Sequence, residues 1–345
     1  MAEPSSTVLL TGGCGFIGSH QAVVLLQAGY DVVVVDDLSN ARADVVDRIE
    51  AIAGRRPRLV ELDVRQTDAL AAVIADNGVD SIIHFAGLKH VRESMERSID
   101  YFDVNLAGLT SVVQAADRRG VRRMIFSSSG SIYGTAGAAV SGAPLAEDTV
   151  PQPTNPYSHS KWICEQVLER VCSVEAGWSV IALRYFNPAG AHPSALLGED
   201  PTHLISNLVP VLMEAAAGTI DAVPIFGTDF DTPDGTALRD YVHVMDVARA
   251  HAAALAALDG DAGFEALNIG RGEGVSVRQL IAAAEVAIGR PLAVDEQPRR
   301  PGDVPSLVAA TDRASKRLDL DDYLSVETIL ADAWRFRQRR DLTHG

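Results

Sequence analysis

Tyr157 and Lys161 stand four residues apart in NPYSHSK, residues 155–161, a segment that reads as the first turns of a helix. At that spacing the two side chains lie one above the other on one helical face. A phenol is a poor base at neutral pH, because its ordinary pKa is about 10. A neighbouring ammonium stabilises the phenolate and leaves a group that can take or return a hydroxyl proton. Such pairs are also common on plain helix surfaces, so the chemistry depends on what else the chain supplies.

A second constellation lies at the start of the chain. TVLLTGGCGFIGSH, residues 7–20, gives strand, glycine loop and helix in order. Gly12, Gly15 and Gly18 recur every third residue, with Phe16 and Ile17 between the last two, and Gly13, Gly15 and Gly18 also satisfy GxGxxG. Glycine lets the backbone turn sharply and approach a pyrophosphate, whose charge then faces the helix N-terminus. Asp36 follows about 20 positions on, at the end of DVVVVD. A carboxylate there accepts from the ribose hydroxyls of NAD and repels the 2′-phosphate of NADP, and Asp37 adds to the repulsion. NAD is therefore the expected cofactor, with Arg42 keeping NADP as the lesser alternative. Asn40 lies in the same loop. Asp63 with Val64, in ELDVR, is placed to meet the adenine, and Phe85, Ala86 and Gly87 of HFAG let a cofactor lie against the backbone. His84 reads as a packed strand histidine and Cys14 as inert.

The elements that must position these groups alternate regularly. TVLL (7–10), DVVVVD (31–36), RLVEL (58–62), SIIHFA (81–86), RMIFSSS (123–129) and VIALRY (180–185) read as buried strands, with ALNIG (266–270) as a further candidate. Helix-like segments cover 20–27, 41–52, 67–77 and 101–119. This alternation predicts an α/β fold, a Rossmann-type doubly wound parallel sheet covered on both faces. After about Asn187 the pattern gives way to Pro- and Gly-rich loops, which predicts a smaller C-terminal α/β substrate lobe. The expected division is residues 1–187 for the NAD-binding domain, to which later segments return, and 188–345 mainly for the second lobe. Ligands would lie over the carboxyl edge of the sheet.

The chain has 345 residues and a formal net charge of −16, a poor match to nucleic acid or an anionic membrane surface. Its three cysteines form no CxxC pair, which fits a reducing compartment and argues against a disulfide framework or zinc site. No signal-peptide pattern or membrane-length apolar run is seen, so the cytoplasm is the expected location.

TGGCGFIG, FAGLK, FSSS followed by YG, PYSHSK, RYFNPAG and RDYVHVMD together resemble the extended short-chain dehydrogenase/reductases. The resemblance is closest to the epimerases that act on UDP-glucose and UDP-galactose, and runs to about Leu307. It implies an isomerase that oxidises carbon 4 of a UDP-sugar to a 4-keto intermediate on NAD and reduces it again. It assigns Tyr157 as base, Lys161 to the phenol's pKa and the nicotinamide ribose, and Ser129 as a bridge between sugar oxygen and tyrosine. Alone, Ser129 would more often be a strand-end hydroxyl bonded to backbone. Lys89, Asn105 and Tyr185 match cofactor-pocket positions. Asn187, Asn207, Leu208, Phe226 and Tyr241 match the substrate side. Arg239 and Arg300 resemble diphosphate clamps, with Asp303 on a ribose hydroxyl, and a guanidinium fork suits that task. The plainer reading of each arginine is an ion pair with Asp240 or Asp303. Relatives are mostly homodimers packed through the YxxxK helix, and Trp162, Ile163 and Val167 suit such packing or a core.

Three departures from the family pattern stand out. HVRES follows FAGLK where AVGES is usual, so His90 and Arg92 face either the surface or a phosphate. Leu307 occupies the substrate gate, intermediate between the Tyr that restricts the site and the Cys or Ser that admits N-acetyl sugars. The tail DAWRFRQRRDLTHG reads as a fraying surface helix. A uronate epimerase or another nucleotide-sugar enzyme of the family is the alternative, since Arg92 could meet a carboxylate. A non-catalytic NAD-sensing Rossmann protein is the alternative from another class, but such proteins commonly lose the tyrosine or lysine.

Overall fold

The β-branched and aliphatic runs become strands: β1 (Thr7–Thr11), β2 (Asp31–Asp36), β3 (Arg58–Glu61), β4 (Val79–His84), β5 (Arg123–Ser129) and β6 (Ser179–Tyr185). The second half adds β7 (Asn187–Ala189), β8 (Val223–Phe226), β9 (Leu238–Arg239), β10 (Tyr241–His243), β11 (Gly263–Ile269), β12 (Val275–Ser276), β13 (Val294–Gln297) and β14 (Ser306–Leu307). This computed structural model describes residues 6–136, 143–200, 205, 207–258, 262–300 and 302–344. Seven strands form one sheet in the order β11-β6-β5-β4-β1-β2-β3, every neighbouring pair parallel. The order reverses between β1 and β4, which is where a doubly wound sheet opens a crevice at its carboxyl edge.

Both faces are covered, which is why the strand sequences are apolar throughout rather than alternating. On one face Leu25, Val34, Ile49, Ile83, Leu255 and Leu318 belong to one buried cluster. On the other Leu70, Ile74, Val112, Phe126, Leu168 and Trp178 belong to a second. Smaller pairings organise the second lobe: β7 runs parallel to β10, β8 to β13, and β9 lies between β12 and β14. Their register sets Asn187 opposite Tyr241 and Leu307 opposite Arg239.

Several local expectations differ from the structure. The helix after the glycine loop starts at Phe16 rather than His20, and the next spans Val45–Ala53. The long helix expected over 101–119 is interrupted by a π-helical turn, Asp103–Ala107, between Ser98–Phe102 and Gly108–Asp117. The C-terminal helix, Val326–His344, is no surface helix in its first half. Ile329, Leu330, Ala333 and Phe336 pack into the second lobe, and the buried polar pairs Asp332–His243 and Arg337–Glu214 tie it down. Its polar residues hid an apolar stripe.

Three histidines sit inside as neutral groups. His84 on β4 shares a 2.6 Å hydrogen bond with Thr11, while His20 and His251 bond to the carbonyls of Phe16 and Val247. Burial pushes His20 and His84 down to about 3 and His251 to about 4. Between those values and about 6.5 only the unfolded chain takes up these protons, so their contribution to stability is intact above pH 6.5 and is lost as pH falls. The expected slope is about 1.4 kcal/mol per histidine per pH unit in that window. Thermal midpoints measured from pH 7.5 to 4.5 should fall steeply below pH 6.5, and less steeply for His84→Gln. A flat profile down to pH 5 would contradict the assignment.

Candidate active site

The glycine loop sits at the β1 end of the crevice. Gly12 has φ +68°, and a Cβ there would meet the Ala86 nitrogen at 2.6 Å, so the loop rests directly on the HFAG backbone. A Cβ on Gly18 would strike the Gly12 carbonyl at 2.5 Å, which keeps the helix start against the loop. Gly15 caps the Phe16–Gln27 helix without a side-chain hydrogen bond, so the first-turn N–H groups of Phe16, Ile17 and Gly18 face a space suited to an anion. At the end of β2 Asp36 is buried, its two oxygens taking the N–H groups of Cys14 and Leu38 at 3.0 Å each. Burial raises its pKa, and the two N–H bonds oppose the rise. Asn40 is exposed in the following loop.

This cradle fits NAD. An anion-seeking helix end lies beside a carboxylate with lone pairs left for hydroxyls. Asp63 is held by Arg65, whose guanidinium and N–H pull its pKa down. Its neighbour Val64 is buried, with its carbonyl taking the Ser111 hydroxyl at 2.6 Å. Phe85 and Ala86 both donate backbone N–H groups to the Thr11 carbonyl, and the Phe85 ring lies 4.8 Å from His251. Asn105, on the π-helical turn, acts as a clamp. It accepts from the Leu88 N–H at 2.7 Å, donates back to the Leu88 carbonyl, and donates to Ser160 at 2.8 Å. It therefore fixes the FAGLK loop and leaves no room for a Cβ at Gly87.

The candidate catalytic helix, Pro156–Val174, starts with a capping box between Asn155 and Ser158, with proline in its first turn. That start fixes the direction of Tyr157. Burial raises the pKa of the phenol, and the nearby Ser129 hydroxyl opposes the rise without cancelling it. Lys161, one turn on, turns its ammonium toward β5. Nζ donates to the Ser127 carbonyl at 2.8 Å and lies 4.9 Å from the Phe126 ring centre. Burial lowers Lys161 to about 8, with Glu165 opposing. Ser129 also caps the following turn: its hydroxyl accepts from the Ser131 N–H and donates to the Ser131 hydroxyl. The backbone role and the contact to Tyr157 thus coexist. Tyr185, at the end of β6, donates to the Ser127 hydroxyl, and its own phenol is pushed up by burial.

Behind this group lies a buried network. Arg184 on β6 pairs with Glu165, one turn after Lys161, and also donates to Tyr133 at 2.9 Å. Ser128 donates to the same carboxylate, and Tyr133 donates to Asn268 on β11 at 2.7 Å.

The second lobe forms the opposite wall. Arg239 donates to the carbonyls of Leu238 and Val304 and lies 3.8 Å from Asp303. Arg300 pairs with Asp303 at 2.9 Å and stacks 4.6 Å over the Phe226 ring. Asp240, by contrast, faces away from Arg239. It is fully buried, takes the N–H groups of Arg271, Gly272 and Ala309, and is pushed up to about 6 by burial. Tyr241 is buried and pushed up to about 12. Asn187 receives its position from β7, its N–H bonded to the Asp240 carbonyl. Leu307 packs against the cluster of Ile132, Tyr133, Leu145 and Phe186, next to the turn after Ser129. Asn207 precedes the helix that Leu208 begins.

Two expectations are narrowed. Arg92 is 85% exposed and lies 3.8 Å from Glu96, which places it at the surface. Lys89 pairs with Glu199 at 2.8 Å, a partner 110 residues away that no local pattern flagged. Ser127 was also missed, although a polar residue inside an apolar strand is a readable signal.

Residues 8–270 match the NAD dependent epimerase/dehydratase family. A UDP-glucose 4-epimerase of Bacillus subtilis (strain 168) is 39% identical over 330 residues, covering 96% of each chain. The crystal structure of UDP-glucose 4-epimerase from Bifidobacterium longum, in complex with NAD+ and UDP, is 39% identical with a TM-score of 0.93, covering 97% of this chain and 99% of that one. That from Stenotrophomonas maltophila, with bound NAD and formylated UDP-arabinopyranose, is 38% identical with a TM-score of 0.94, covering 98% and 99%. With strand order, glycine cradle and the Tyr157–Ser129 contact in agreement, the chain belongs to the NAD dependent epimerase/dehydratase family, alongside the UDP-glucose 4-epimerases it matches from end to end.

Proposed function

We propose that this chain interconverts UDP-glucose and UDP-galactose through a 4-keto sugar, with NAD as its bound cofactor. The observation that carries the reading is the placement of Ser129, at the carboxyl end of β5, beside the buried Tyr157 phenol, in a chain that also carries the glycine cradle and the Arg239–Asp303–Arg300 group. NAD supplies the hydride acceptor and donor at carbon 4, so no external oxidant is consumed. Gly12, Gly15, Gly18 and Asp36 would hold it, with Lys161 and Tyr185 beside its reactive end. Tyr157 takes the proton of the 4-hydroxyl and returns it, and Ser129 stabilises the charge that passes between sugar oxygen and phenol. A phenol raised by burial makes a strong base once ionised, and Lys161, one turn on, is the cation available to favour that ionisation. Arg239 and Arg300 hold the diphosphate, countering the −16 background, with Asp303 on the ribose and Phe226 beside the base.

Leu307 and the cluster behind it set the size of the sugar site. The exposure of Arg92 weakens the case for a uronate. Among the described residues no helix is long and apolar enough to cross a membrane, and the cysteine pattern supports a cytoplasmic setting. A homodimer completes the reading. Val91, Met95 and Ile99 are 46%, 62% and 76% exposed, at four-residue spacing on helices that pack against the Pro156–Val174 helix. Trp162 and Val167 instead pack inward.

Purified protein loaded with NAD should equilibrate UDP-galactose with UDP-glucose, and absence of turnover would sink the proposal. Tyr157→Phe should lower kcat by about 10²–10⁴-fold, and Ser129→Ala by roughly 10–100-fold, the value of one charge-assisted hydrogen bond. Widening the gate with Leu307→Ala should raise kcat/KM for UDP-GalNAc relative to UDP-galactose by about tenfold or more, and Leu307→Tyr should lower it. An unchanged ratio in both variants would remove Leu307 from the specificity wall. Light scattering should give a dimer mass that falls to that of a monomer in the Met95→Glu/Ile99→Glu double variant.

A further inference from the structure

A strap after β7 contains Gly198, Glu199 and Asp200. Gly198 bridges to Ala191 and lies so close to the Phe336 ring that a side chain would collide with it. That contact pins the strap to the C-terminal helix. Two successive carboxylates then reach in different directions. Asp200 pairs with Arg340 of that helix at 2.9 Å and lies 3.9 Å from Arg48, on the Val45–Ala53 helix beside the glycine cradle. Glu199 is 9% exposed, and a single oxygen, Oε1, accepts from Lys89 Nζ at 2.8 Å and from Asn207 Nδ2 at 2.8 Å.

The two donors belong to opposite binding halves. Lys89 lies in FAGLK, in the loop that comes after β4 and is clamped by Asn105. Asn207 stands at the start of the Leu208–Ala217 helix of the second lobe. The second carboxylate oxygen, Oε2, is buried without a hydrogen-bond partner among the described residues. Exposed ion pairs contribute little. A nine-tenths buried carboxylate that takes one ammonium and one amide is different, because each donor it holds is costly to release.

We propose that Glu199 is a positioning residue that couples the cofactor and nucleotide halves: one carboxylate oxygen holds Lys89 and Asn207 in place together. A ligand that orders either residue then orders the other, and the effect must be reciprocal. This rests on the epimerase reading only in assigning Lys89 to the cofactor side and Asn207 to the nucleotide side.

The test measures the rate at which the NAD-loaded protein loses NAD on dilution, with and without saturating UDP. In the unaltered protein UDP should slow the loss by on the order of tenfold. Glu199→Ala should bring that ratio close to one. Glu199→Gln, which keeps an acceptor for Asn207 but not the charge for Lys89, should reduce it to an intermediate value. Glu199→Gln carries the test if the alanine variant does not fold. A ratio near one in the unaltered protein, or a ratio unchanged in the variants while only the thermal midpoint drops, would overturn the proposal. Because the readout is binding, coupling without turnover of UDP-galactose would count against the epimerase reading and leave this one standing.

Discussion

The Glu165–Arg184 pair is the interaction on which the site depends. Both side chains are almost wholly buried, and neither could remain charged there alone. Glu165 belongs to the helix that carries Tyr157 and Lys161, and Arg184 belongs to β6. Through Ser128 the carboxylate holds the strand position just before Ser129. Through Tyr133 and Asn268 the guanidinium holds the turn just after it and the edge strand β11. Removing one partner from such a pair typically costs about 3–5 kcal/mol. Ser129 on β5 and the helix that carries Tyr157 are therefore held by one buried network.

The same burial shapes the chemistry. Desolvation raises Tyr157 and lowers Lys161, so burial favours the neutral form of both groups and moves their proton affinities apart. Hydrogen bonds to the two groups oppose that shift. Ser129 acts on the phenol, while the Ser127 carbonyl holds the ammonium. Positive charge is placed separately, on the second lobe, where Arg300 stacks over Phe226.

Most of the first half was legible because local and global signals agree there. DVVVVD and RMIFSSS are apolar on both faces and can only be central parallel strands, and the glycine loop dictates a helix directly after β1. The second lobe was less legible, since β9, β12 and β14 are two residues each and exist only by pairing with segments distant in the chain. The tilt of Lys161 toward Ser127 was not legible either, because helical spacing gives a face and not a rotamer. Glu199 left no local mark at all. Its role comes from two partners, one 110 and one 8 residues away.

The short β9–β14 ladder links two candidate site residues in a way its length conceals. In register, Leu307 stands opposite Arg239, and Asp240 between Arg239 and Tyr241 anchors the ladder through three backbone N–H groups. Successive strand residues point to opposite faces, so a displacement of β14 by one residue would exchange gate and backbone contacts together. Leu307 and Arg239 are consequently held in one ladder, anchored by the fully buried Asp240. The constraint matches that on the other side of the crevice, where Glu165 and Arg184 fix Ser129 from behind: in both walls a buried charge with satisfied hydrogen bonds sets the geometry, and the contacting residues inherit it.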